Sequence, residues 1–71
     1  MTTVRVLITV GDVAELITPR HPAAAPLRVS ASRIAAQAGL PANELPGRAF
    51  TVQTLSDGDA DGFTLLDDPR L

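Results

Sequence analysis

The sequence predicts a small α+β domain in the order β-β-α-β-β, with one central helix over residues 31–38 on a small, mostly antiparallel sheet. Three observations predict it. Val4, Val6, Ile8 and Val10 alternate with Arg5, Leu7 and Thr9, which is the period of a strand in residues that favour strands. Ser30 and Gly39 bracket a stretch whose apolar residues recur at helical spacing. Strand alternation then returns at Phe50, Val52 and Thr54. A chain of 71 residues makes one domain.

The first strand is expected at residues 4–10. Residues 11–18 have two readings. Gly11-Asp12 can form a two-residue hairpin turn with glycine first, which sets Val10 against Val13, Ile8 against Glu15, Leu7 against Leu16 and Val6 against Ile17. Alternatively, Asp12 caps a short helix over residues 12–18 that Pro19 ends. The hairpin is the preferred reading, because so short a helix gains little. Residues 19–26, "PRHPAAAP", form a Pro-rich loop, since each proline fixes its own φ and turns the preceding residue away from helix. Leu27 to Val29 can add a short strand.

Ser30 is placed to cap the helix, and Gly39 to end it in the left-handed conformation, with Pro41 preventing continuation. Ala31, Ile34, Ala35 and Ala38 share its apolar face. "PANELPG" at 41–47 predicts one short helical turn, stopped by Pro46 and Gly47. Residues 50–55 are expected to form a strand, and "FTLL" at 63–66 its antiparallel partner. The first strand, the helix and Phe50 would supply the core.

Composition excludes several classes of function. The chain has no cysteine, hence no disulfide, thiolate zinc site or cysteine nucleophile. No apolar run approaches the ~18 residues of a membrane span. Residues 1–12 hold too short an apolar run for a signal peptide and lack a small-residue cleavage site, so the expected location is cytoplasmic. Residues 1–48 carry a net charge of +2 and residues 49–71 a net charge of −4. So slight and scattered a basic excess is not the footprint of a nucleic-acid binder.

Two motifs carry chemistry. "DGDADGFTLLDD" at 57–68 has the ligand spacing of a calcium loop. Asp57, Asp59 and Asp61 stand at the first, third and fifth positions, Gly62 makes the sharp turn, Phe63 offers its carbonyl, and Asp68 falls twelfth. Calcium is the cofactor this spacing admits. However, strands flank the stretch where a calcium hand requires helices, and Asp and Gly are also what a hairpin tip selects for backbone reasons.

The second motif is "IAAQAGLPANEL" at 34–45, with a small Ala35, Gly39 four residues later, and Leu40 and Leu45 where a second helix would pack. It resembles the first half of the helix-turn-helix in arabinose-regulator-type transcription factors. That resemblance implies a degenerate DNA-binding unit over 31–48, with Arg28, Arg33 and Arg48 as phosphate contacts. "TVGDVAEL" at 9–16 similarly resembles the opening helix of mercury-resistance-regulator-type winged domains. Neither resemblance continues along the chain, and Pro46-Gly47 interrupts the helix that would enter the groove.

Catalysis has little support. His21 is the one histidine and lies in the Pro-rich loop; Ser30 and Ser32 are helix-start residues; Asp67 and Asp68 point to opposite faces if extended. The expectation is a non-catalytic interaction or regulatory module. It would act through a protein partner or a second copy, by way of the Pro-rich loop or an open strand edge, without a required cofactor.

Overall fold

The computed structural model describes residues 2–66. Strand β1 (Thr2–Val10) turns back through Gly11 and Asp12 into β2 (Val13–Ile17), and β3 (Leu27–Ser30) pairs with the far side of β2. Helix α1 (Ala31–Ala38) follows β3 without a linker. A 3₁₀ turn at Ala42–Glu44 leads to β4 (Ala49–Val52), which pairs with the free side of β1. A small hairpin of β5 (Thr54–Leu55) and β6 (Ala60–Asp61) comes next, and β7 (Thr64–Leu65) pairs with β4. The five-stranded sheet runs β3-β2-β1-β4-β7 and is antiparallel throughout. The domain is α+β, as expected, with one helix on one face of the sheet.

Residues 12–18 contain the second strand of a hairpin and no helix. Gly11 has φ 57° while Asp12 stays at negative φ, the signature of the turn that takes glycine first. Residues 9–16, whose sequence resembles an opening helix, therefore span the hairpin turn. The expected order gains a third strand before the helix. The expected strand over 50–55 breaks at Gln53, whose N–H donates to the Asp61 carbonyl, so β5 leaves the main sheet and pairs with β6. Of "FTLL", Thr64 and Leu65 pair with Thr51 and Phe50.

The core lies between the sheet and α1. Val4, Val6, Ala14, Leu16, Val29, Phe50 and Val52 point toward it from the strands, and Ala31 and Ile34 from the helix. Phe50 and Phe63 meet edge to face with ring centroids 6.3 Å apart. Leu45, carried in by the 3₁₀ turn, closes one end and is fully buried.

Both helix ends are satisfied as the sequence indicates, with one addition. Ser30 Oγ accepts from the Arg33 N–H at 3.3 Å, and Gly39, at φ 73°, ends the helix by donating to the Ala35 carbonyl. Asp12, at the tip of the β1–β2 hairpin, adds a second cap. Its carboxylate accepts from Ser30 Oγ and from the Ser32 N–H, both at 2.8 Å, and its carbonyl accepts from the Ala31 N–H at 2.7 Å. Asp12 thus caps a helix, but one that lies 18 residues further along the chain.

Candidate functional site

Strand β1 changes face midway. Its register on β2 shifts between Val6 and Ile8, so Leu7 is a bulge with no partner of its own. The expected pairs Val10–Val13 and Ile8–Glu15 are present, whereas Val6 lies against Leu16 instead of Ile17. Val4 and Val6 face α1. Past the bulge the phase is reversed, and Leu7, Ile8 and Val10 are exposed at 39%, 44% and 63%. Directly paired residues share a face, so Val13 joins Val10, and Glu15 and Arg28 continue the row of Ile8.

The sheet thereby acquires a second apolar surface on the side without the helix. Ile8, Val10, Val13 and the half-buried Ile17 form it, next to the exposed Leu7 of the bulge. Arg5 and Ala49 flank it on one side. Arg28 flanks it on the other, its guanidinium 3.7 Å from Glu15. A shallow cleft of about 270 Å³ opens there among Val10, Val13, Glu15 and Arg28. Alternation along β1 cannot reveal this surface, but the hairpin register holds a signal for it. Ile8 opposite Glu15 puts a carboxylate on the face of Ile8, while Val4 and Val6 need a dry face. Only an extra residue between them satisfies both.

The three described aspartates of the calcium-like stretch each have a separate partner. Asp57 meets Arg20 at 2.7 Å, Asp59 meets Arg33 at 3.0 Å, and Asp61 accepts from the Gln37 amide at 2.9 Å. Among the described residues no three potential metal-ligating side chains come together. Phe63 is buried, and its N–H donates to Gln37 Oε1 at 2.8 Å. Asp68, the twelfth position, lies outside the described residues. Gly62 does take the sharp turn, at φ 73°. The Gln37 amide, then the Gly62 N–H, hold the Asp61 carboxyl below its usual range; the more distant Arg33 adds to this, against a small desolvation effect.

Arg33 and Gln37 stand one turn apart on α1, so both reach the β5–β6 hairpin. Arg33 also donates to the Ala60 carbonyl at 3.2 Å. On the other side of that hairpin, His21 Nε2 donates to the Asp57 carbonyl at 2.8 Å, and its Nδ1 lies 2.8 Å from the Thr18 hydroxyl. A carbonyl only accepts, so Nε2 carries a proton, and in the neutral ring Nδ1 accepts from Thr18. His21, Pro26, Leu27, Arg28, Asp57 and Gly58 line an open cleft of about 440 Å³.

The arginines expected at phosphates all lie beside carboxylates: Arg28 by Glu15, Arg33 by Asp59 and Arg48 by Glu44. They stand on β3, on α1 and before β4 respectively. Residues 34–45 supply part of one helix and a 3₁₀ turn, after which the chain enters β4 rather than a second helix. No helix among the described residues is long and apolar enough to cross a membrane. Comparisons with protein-family models, curated proteins and solved structures found no match.

Proposed function

We propose that this chain is a non-catalytic, cytoplasmic interaction module that engages a protein surface through the helix-free face of its sheet. The observation that carries this reading is the exposure of Ile8, Val10 and Val13 together on that face, with exposed Leu7 at the bulge next to them. Scattered apolar residues at a surface are ordinary, but a contiguous group rimmed by polar side chains marks an interaction site. Strand edges are poorer candidates. Edge strand β3 has four residues between Pro26, which has no N–H, and α1; edge strand β7 has two. Neither offers a long ladder to an added strand.

Binding measured with wild-type protein and with Val10→Asp tests the proposal. Val10 is the most exposed of the group and lies far from the core, so the variant is expected to fold and to lose association. Association with any partner that is indifferent to this charge would end the proposal. Amide spectra of isotope-labelled wild-type protein report on the acidic turn. Calcium at millimolar concentration is expected to leave the amide resonances of residues 57–66 in place, because Arg20, Arg33 and Gln37 already hold its carboxylates. Shifts confined to that turn would establish a calcium site instead.

A further inference from the structure

We propose, resting on the interaction reading, that the occupant of the helix-free face is a second copy of this chain, packed sheet to sheet. Glu15 argues for it. Its side chain is only 20% exposed and sits across from Ile8 in the apolar face, yet its ion partner, Arg28, approaches only to 3.7 Å and is itself 73% exposed. Covering the face removes water from that carboxylate, which is costly unless a cation replaces it. An apolar occupant brings no cation. A second copy brings Arg28, whose guanidinium is largely free to turn. Two-fold symmetry then supplies the contact twice, Glu15 of each copy meeting Arg28 of the other.

The dimensions agree. Five strands spaced about 4.8 Å apart, the longest rising about 3.4 Å per residue, give a face of several hundred Å². Two such faces bury roughly 1,000 Å² in total, the lower limit for a specific interface. Sheets packed in this way lie about 10 Å apart with strands nearly aligned, a spacing that side chains the size of Val and Ile fill. The helix already covers the opposite face, so each copy would end with its sheet buried on both sides. A 71-residue chain has a small core, and oligomerisation is a common way for such chains to add apolar burial.

Sedimentation over about a hundredfold range of concentration tests this, with fold checked by amide spectra. Wild-type protein is expected to pass from monomer to dimer, and Val10→Asp to raise the dissociation constant by about tenfold or more. Glu15→Arg and Arg28→Glu are each expected to weaken the dimer when alone. An equimolar mixture of these two variants is expected to restore it as a heterodimer, because the exchanged charges again oppose each other across the interface. A mixture no tighter than its components, or a dimer insensitive to Val10→Asp, overturns the proposal. If wild-type protein remains monomeric, the second copy is excluded. Interaction as such then survives only if immobilised wild type captures a partner that immobilised Val10→Asp does not.

Discussion

At Gly62 the chain needs a residue without a side chain for two reasons. Its φ of 73° disfavours any other residue, and a Cβ there would lie 2.8 Å from Cβ and Cγ of Gln53. Gly62→Ala is therefore expected to destabilise the fold by about 1–2 kcal/mol or more, read as a lowered urea midpoint at unchanged slope. The cap on α1 is a second local device. Hydrogen bonds from the Ser30 hydroxyl, then the Ser32 N–H and hydroxyl, hold the Asp12 carboxyl below its usual pKa of 3.8. A folded-state pKa lowered in this way stabilises the protein above the unfolded value and loses that contribution as pH falls through the folded one. Asp61 follows the same sign. Wild type should thus lose stability on acidification below pH ~4, and Asp12→Asn should lose less over the same range. Ser30→Ala, which removes hydrogen bonds at the same cap, is expected to cost about 1 kcal/mol.

Among the elements, β1 has two roles because of its bulge. Its first half faces α1 and its second half builds the opposite surface, with Leu7 as the extra residue. Deleting Leu7 should give a regular strand that keeps Ile8 opposite Glu15 and Val10 opposite Val13. Stability is expected to stay within about 1 kcal/mol of wild type, since the deleted side chain is partly exposed and unpaired. Cross-strand contacts in the NMR spectrum would check the register. A reversal that buried Ile8 and exposed Val6 would contradict this role of the bulge. Helix α1 likewise has two roles. Ile34 enters the core, while Arg33 and Gln37 hold the β5–β6 hairpin by Asp59, Ala60, Asp61 and Phe63.

At the scale of the whole fold, one helix on a five-stranded sheet leaves the other sheet face open among the described residues. If a second copy covers it, unfolding is coupled to dissociation and stability depends on protein concentration. The urea midpoint of wild type is then expected to rise with concentration, while that of Val10→Asp stays constant. A midpoint independent of concentration in both would show that the fold stands without the contact.

Local sequence was sufficient for the α+β class, for the helix between Ser30 and Gly39 and for Phe50 in the core, whereas at Gly11 it left a glycine-first turn and a short helix both open until the pairing of β1 with β2 selected the turn. These features depend on neighbours a few residues away: caps, prolines and the period of apolar residues. The partners of the three aspartates and the role of Asp12 were decided only by tertiary structure, and the outward turn of Ile8 and Val10 by the pairing of β1 with β2. Alternation along β1 cannot show which strand lies beside it, so it cannot locate the extra residue that turns Ile8 and Val10 outward. Asp57, Asp59 and Asp61 have calcium-loop spacing in the chain, but Arg20, Arg33 and Gln37 reach them only once the hairpin lies against the helix and the Pro-rich loop. Spacing is a property of the chain, whereas the partner of a charge is set by which segments the fold brings into contact.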